Sequence, residues 1–570
     1  MINEIIESKL SFIFKELNYN IDIKIIKSNR EDLGDYQYDG LFKLASMLHK
    51  SPQEIGEEIS KKWNEEYANI AISSFSFPGF INFKLTDELI NESLNYMNSN
   101  PKYGLKIPKK ETYVIDYGGP NIAKPLHVGH LRSAIVGESI KRIIKYMGHD
   151  VISDVHLGDL GLQIGEVIYG LIEEGKSIDE IDINTLERIY PYVSKLCKEN
   201  EEIKEKCAQI TKELQNNNPL YVKYYEKIKE VSIKDIKRIY DYLDVSFDYW
   251  YGESDSYKYI TKTTKMLEDK KLLQNSEGAK VVDVRDENDT KELPPFIYQK
   301  SNGAYLYSTT DLATIIERLE DFKPDNILYV TDNRQALHFK SLFRVCEKLG
   351  IKTNFVHLPF GTVNGVDGKP FKTREGKAPK LDELFKETKE AFKKTNPKNE
   401  NMSESDLDII VNSILKFADL QNNREKDYIF DINKFSKVIG KTGPYILYTY
   451  LRLESILKQE NINDTIMTEK TFNEYDRKLR IKLLDLTNTL EEVYKDFLPS
   501  TMCNYLYDLC VLANSFYENN HINTLENEKL KNNWLILLQL VNNILKDMLN
   551  LLSIKIPNKM WGRNYEIKRL

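Results

Sequence analysis

Apolar residues along the chain follow three rhythms. Tyr113-Val114-Ile115, Val151-Ile152-Ser153-Asp154-Val155, Asn326-Ile327-Leu328-Tyr329-Val330 and Phe355-Val356-His357-Leu358 are short, nearly continuous apolar runs. Runs of this kind suit strands of a parallel sheet covered on both faces. After the first run, Leu131, Ile135, Ile140, Ile143, Ile144 and Met147 recur at helical spacing, and Gly148 stops the helix. The β-α-β order predicts an α/β domain with a doubly wound parallel sheet. A different rhythm precedes it. Ser51-Pro52-Gln53-Glu54 starts a helix with a capping box, and Phe80-Ile81-Asn82-Phe83-Lys84 alternates like a strand. Residues 1–105 therefore predict a small α/β module, and Pro101, Gly104 and Pro108 mark a linker after it. The sheet domain then spans 106–395, interrupted by a Lys/Glu-dense helical insertion at about 167–245. From 396 to 570 the pattern is almost wholly helical, which predicts a third domain.

Composition narrows this picture. A chain of 570 residues is too long for one hydrophobic core, and 41% hydrophobic with 29% charged residues suits a globular protein. No apolar run is long enough for a bilayer, no membrane partner is expected, and the N-terminus has no signal-peptide layout. The expected compartment is the cytosol. The five cysteines, at 197, 207, 346, 503 and 510, form no C-x-x-C pair. Their odd number argues against a disulfide framework and a structural zinc site, so isolated reduced thiols are expected. A net charge of −7 disfavours indiscriminate nucleic-acid binding, yet one folded RNA needs only local basic faces.

Candidate chemistry sits in two segments. In Asp116-Tyr117-Gly118-Gly119-Pro120-Asn121-Ile122-Ala123-Lys124-Pro125-Leu126-His127-Val128-Gly129-His130, the first strand hands over to its helix. Ligands of open α/β sheets bind there, and a helix N-terminus favours phosphate. His127 and His130 could donate N–H groups to phosphate oxygens as charge builds in a transition state. They could also cap the helix or bind a metal, although the zinc-protease spacing is absent, and no G-x-G-x-x-G follows the strand. In the second segment, Gly365, Gly368 and Gly376 loosen a loop that carries Lys369, Lys372, Arg374 and Lys377. Such a loop could close on a triphosphate; alone, it reads first as a solvated basic loop.

Together the segments support one resemblance. P-N-I-A-K-P-L-H-V-G-H-L-R-S resembles the H-I-G-H signature of class I aminoacyl-tRNA synthetases in its arginyl-tRNA synthetase version. K-P-F-K-T resembles the K-M-S-K-S signature, with both lysines kept as Lys369 and Lys372, about 240 residues further on. The resemblance covers nearly the whole chain and is weakest in the insertion. It implies a Rossmann-like class I catalytic domain that activates L-arginine with Mg²⁺-bound ATP and passes arginine to the terminal ribose of arginine tRNA, without zinc. It implies catalytic roles for His127, His130, Lys369 and Lys372, and an ATP site that adds Lys124, Gly129, Gly158, Asp159 and His338. It implies a monomer, and a tRNA requirement in the first step.

The same resemblance assigns arginine to Asp116, Asn121, Tyr307, Asp311 and Gln335. A guanidinium is a planar, permanently charged fork of donors, and these residues supply carboxylates and neutral acceptors. For tRNA, the resemblance points to Phe80 and Asn82 at the D-loop and to the segment around Tyr445 in an anticodon-binding domain. Tyr505 and Tyr517 follow there, where aromatics can stack on bases or pack a helical core. The chain departs from the family pattern at Leu160, where Trp is usual, at Gly118-Gly119, where serines are usual, and at Ser553, where glycine is common. A binding-only paralogue would lose catalytic groups, a cysteine enzyme would need zinc-ligand cysteines, and a cofactor nucleotidyltransferase would not need so large a helical domain.

Overall fold

In the computed structural model, which describes residues 2–30, 32–287, 289, 293–371, 379–399, 402–462 and 465–560, the four apolar runs form one parallel sheet. Its strands are β1 (Thr112–Asp116), β2 (Asp150–Asp154), β3 (Asn326–Asp332) and β4 (Asn354–Phe360). Their order is β4-β3-β1-β2, parallel throughout. The chain leaves β1 toward one edge and β3 toward the other. The strand order therefore reverses between β1 and β3, and a crevice opens at their C-terminal ends.

The first crossover is helix α1 (Val128–Tyr146), whose predicted apolar stripe is buried. Helix α2 (Leu162–Glu173) follows β2. The insertion adds α3 (Ile183–Glu199), α4 (Glu201–Gln215) and α5 (Pro219–Tyr242). Helices α6 (Tyr307–Phe322) and α7 (Ala336–Leu349) flank β3. Val114, Ile327, Leu312, Ile315, Leu342 and Val345 interlock in the core between sheet and helices. A three-stranded antiparallel sheet, Leu273–Ser276, Ala279–Val282 and Phe296–Gln299, packs on that core. Its first strand is too polar to show in the hydrophobic pattern. The hairpin signal is the two-residue turn Glu277-Gly278, with φ of 49° and 82°.

The chain divides into two compact units. The one with the parallel sheet holds Ile107–Tyr445, Phe497–Ser500 and Leu549–Leu570. Helix α8 (Glu404–Leu420), expected with the C-terminal helices, packs against α1 here. Buried Arg132 on α1 pairs with Asp419 on α8 at 3.3 Å.

The other unit gathers Met1–Lys106 with Ile446–Asp496 and Thr501–Met548. Its antiparallel sheet runs Ile25–Lys27, Tyr36–Tyr38, Phe80–Leu85, Ala71–Ser76. The capping box at Ser51 and Glu54 forms as expected, with both bonds at 3.1 Å. Trp63 packs edge-on to Phe83 beneath the sheet, ring centroids 4.7 Å apart. At the junction of the two chain segments, fully buried Arg480 bonds to Asp476 at 2.7 Å and to Asn91.

The five cysteines are buried, and none is in a disulfide. The expectation of isolated thiols is corrected for one pair: the Sγ atoms of Cys197 on α3 and Cys207 on α4 lie 3.6 Å apart. Their positions, ten residues apart on adjacent helices, bring them together only once α3 and α4 fold back on each other.

Candidate active site

The loop between β1 and α1 lies at the switch point. His127 is the N-cap of α1, and its Nδ1 accepts from the Gly129 N–H at 3.1 Å. His130 reaches back so that its Nδ1 accepts from the His127 N–H, also at 3.1 Å. The two imidazoles thus make a reciprocal capping box, with ring centroids 4.0 Å apart. Burial lowers the pKa of both, with help from the Lys124 charge, and takes His130 to about 3. Each ring is therefore neutral near pH 7. A neutral imidazole whose Nδ1 accepts must carry its proton on Nε2. Two Nε2–H donors result, on rings that protein surrounds on most sides but that solvent still reaches.

Lysines flank this pair. The Lys124 ammonium sits 4.7 Å from the ring centre of Tyr190 on α3. Lys380 bridges to the His127 backbone, and its side chain pairs with Glu187 of α3 at 2.5 Å. The basic loop begins at a tight turn in which Lys369 N–H donates to Asp367 at 3.1 Å and Gly365 N–H donates to the Lys369 carbonyl at 2.8 Å. Lys369 is exposed. Lys372 lies outside the described residues, as do Arg374, Gly376 and Lys377.

The loop after β2 closes one wall. Gly158 N–H donates to Pro120 and its carbonyl accepts from Ile122, at 3.0 and 3.1 Å. A Cβ on Gly158 would lie 2.1 Å from Asn121 Oδ1, so any side chain here would force the Asn121 amide to move. Asp159 is fully buried, and its carboxylate accepts from Lys229 at 2.6 Å, Tyr225 at 2.9 Å, and the backbone and hydroxyl of Ser254 at 2.9 and 2.6 Å. Asp159 is one of the residues that the resemblance assigns to ATP. Its oxygens are committed within the fold, and it ties the loop to α5.

The residues expected to hold arginine come from four elements. Tyr307 and Asp311 share one face of α6. His338, from α7, donates or accepts at 2.6 Å with Asp311 and meets the Tyr307 ring edge-on at 4.8 Å. Gln335 is exposed at the end of the turn Asn333–Gln335 that leads into α7. Asn121 lies beside Gln163, 3.5 Å away. Asp116, at the end of β1, is paired with Arg318 of α6 at 2.7 Å, and Arg318 also pairs with Asp154 of β2 at 2.7 Å.

Four of these site neighbours are missed by sequence reasoning. Arg318 lies seven residues after Asp311, two helical turns along the same face, which was the available signal. Asp154 is an acid at the last position of β2. His156, with φ +46°, is 3.9 Å from Asp154; burial opposes its charge, but Asp116, Asp154 and Asp311 outweigh this and raise its pKa. Glu253 is pushed up to about 7 by burial, against the pull of His156. No local pattern marks Glu253.

In the other unit, Phe80 is half-buried and its neighbour Phe77 is 87% exposed on the same hairpin. Asn82 is buried, donating to Ser76 at 2.7 Å. Tyr505 is also buried in the helical core, with Lys482 over its ring at 5.0 Å. For Tyr505 this is the core packing that the sequence left open beside base stacking, and for Asn82 the strand role. Tyr517 is half-exposed beneath the Arg452 guanidinium, 4.7 Å away, and Tyr445 is half-exposed within the sheet unit.

Family models match residues 93–432 as the class I (R) tRNA synthetase catalytic domain, 446–560 as a DALR anticodon-binding domain and 1–85 as an arginyl-tRNA synthetase N-terminal domain. The chain is 40% identical to an arginine–tRNA ligase of Agathobacter rectalis over 94% of this chain and 96% of that protein. One from Alkaliphilus oremlandii is 40% identical over 96% and 98%. The arginyl-tRNA synthetase of Plasmodium falciparum superposes with a TM-score of 0.81 at 27% identity, covering 98% of this chain and 99% of that one. The Thermus thermophilus arginyl-tRNA synthetase has the same fold, with a TM-score of 0.79 at 22% identity over 98% and 100%. The chain belongs to the arginyl-tRNA synthetase family of class I.

Proposed function

We propose that the crevice between β1 and β3 activates L-arginine with ATP and passes it to arginine tRNA, the aminoacylation that this family catalyses. The observation that carries the reading is the histidine capping box, which leaves two Nε2–H donors at the N-terminus of α1. In the first step the arginine carboxylate attacks the α-phosphorus of ATP, and pyrophosphate leaves with its Mg²⁺. The Nε2–H groups of His127 and His130 meet the charge that builds on the phosphate oxygens, joined by Lys124, Lys369 and Lys372. Neutral donors suit this task, because they add no fixed charge that would hold the ground state as tightly. Gly129 and Gly158 let the backbone come close to the nucleotide, and His338 borders it. Mg²⁺ enters with ATP as part of the substrate.

The guanidinium is bound by Asp311, Tyr307 and Gln335, and the amino group by Asn121. Arg318 engages Oδ2 of Asp116, and Oδ1 is the oxygen offered to the ligand. The site keeps an excess of carboxylate for a cationic substrate, and a neutral analogue would leave those acids unpaired. In the second step the 2′-OH of the terminal ribose attacks the activated carbonyl, with AMP as leaving group. Phe80 and the Tyr445 and Tyr517 faces contact tRNA. A monomer in the cytosol completes the reading.

The test is ATP–pyrophosphate exchange with arginine, with and without arginine tRNA, and with other amino acids as controls. Exchange only with arginine and tRNA supports the reading. Exchange without tRNA keeps the reaction and removes the tRNA requirement, whereas exchange with no amino acid overturns it.

A further inference from the structure

The insertion reaches the signature loop from one side. Glu187 and Tyr190 lie three residues apart on α3, so they share a helical face. Each holds a lysine next to His127. Tyr190 places its ring 4.7 Å from the Lys124 ammonium, within the range of a cation–π contact. Glu187 pairs at 2.5 Å with Lys380, the residue whose backbone bridges to His127. The adjoining face of α3 is anchored by buried Leu186, Ile189 and Val193. It packs on α2, where a Cβ on Gly170 would lie 2.5 Å from Ile189 and 2.7 Å from Val193. Helix α2 starts directly after the Gly158 loop. One helical turn is thus fixed to the fold on one side and grips two lysines of the nucleotide site on the other. The Lys124 charge acts on both histidines, lowering the pKa of each.

We propose that Tyr190 and Glu187 are positioning residues for ATP, holding Lys124 and Lys380 beside the His127/His130 pair, so that the insertion forms part of the nucleotide site. The inference rests on reading that pair as the ATP site. A free lysine side chain samples many rotamers; a ring face and a carboxylate that restrict it lower the ordering cost when phosphate arrives.

The experiment is steady-state ATP–pyrophosphate exchange with arginine and tRNA on the full chain. Tyr190→Leu is expected to lower kcat/KM for ATP about three- to thirtyfold, the span of a cation–π contact, with the KM for arginine unchanged. Tyr190→Phe keeps the ring face and stays close to wild type. In a Lys124→Met background, Tyr190→Leu costs little more, because the cation that it positions is gone. Glu187→Gln, on a half-exposed side chain, gives a second reading of about two- to fivefold on kcat/KM for ATP. A Phe variant as impaired as Leu, or a Leu penalty that persists in full without Lys124, overturns the inference while the assigned reaction stands. Wild-type protein inactive with arginine and tRNA overturns the reaction and the inference together.

Discussion

A histidine can cap a helix or serve a phosphate, and at 127 and 130 the two tasks fall on different ring nitrogens. Backbone N–H groups occupy both Nδ1 atoms, which fixes the tautomer and frees Nε2–H. With its pKa held at about 3, His130 in the folded protein stays neutral well below the ordinary histidine range, whereas the unfolded chain takes up a proton near 6.5. Stability from this group is therefore complete above about pH 6.5 and is lost as pH falls toward 3. The expected NMR result is a His130 ring in the Nε2–H form at pH 5.5; a doubly protonated ring with midpoint near 6.5 would contradict the capping tautomer. Asp311 carries a second residue-scale expectation. Asp311→Asn removes a carboxylate that faces His338 and, in the proposed reading, the substrate guanidinium. Losing one partner of a desolvated charge pair costs about 2 kcal/mol or more, so kcat/KM for arginine should fall about thirtyfold or more. The KM for ATP should change little, and equal losses for both substrates would remove Asp311 from the guanidinium pocket.

Elements decide which of these residues meet. The continuous apolar runs announce the sheet strands because each is buried on both faces, and the β-α-β order then places the first signature at the switch point. Tyr307 and Asp311 are legible as a pair because a helix repeats its face every three to four residues. Partners across elements are not legible in this way. Asp116 and Arg318 are 202 positions apart, and nothing local in either segment tells that β1 ends against α6. Asp159 and Asn82 illustrate the reverse case: each matches a ligand-binding position by its surroundings in sequence, but burial commits their polar atoms to Lys229 and Ser76. Loop-to-loop contact yields a further expectation. Gly158→Ala puts a Cβ within 2.1 Å of Asn121 Oδ1, which must swing away. Arginine use should fall about tenfold or more as Asn121 leaves its place, because small misplacements of positioning groups are costly. The melting temperature should hold within a few degrees. Unchanged kinetics for arginine would show that Asn121 does not need this geometry.

At the scale of the molecule, Met1–Lys106 folds into one unit with Ile446–Asp496 and Thr501–Met548, although residues 107–445 lie between them in the chain. The capping box and alternation of the N-terminal module and the helical periodicity of the C-terminal part are each readable locally. Their union is not, because long-range pairing leaves no periodic trace in sequence. The joint is polar and dry. Arg480 and Asp476 are 0% exposed, Asn91 accepts from the same guanidinium, and the Trp534 indole donates to Asp476 at 3.2 Å. Asn91 comes from helix Asp87–Ser99 and Arg480 from Glu474–Leu484, so one guanidinium ties the two segments. Breaking a buried pair by removing one partner costs about 3–5 kcal/mol, since the remaining carboxylate is stranded without water. Arg480→Met keeps most of the side-chain volume and removes the charge together with the donors to Asp476 and Asn91. It should lower the stability of this unit by about that amount, and hydrogen exchange should quicken together in Asp87–Ser99 and in Glu474–Leu484. The parallel sheet has its own core and should keep its protection. Faster exchange confined to the C-terminal helix would mean that the N-terminal module is held by its own core alone, and that the shared guanidinium does not join the two.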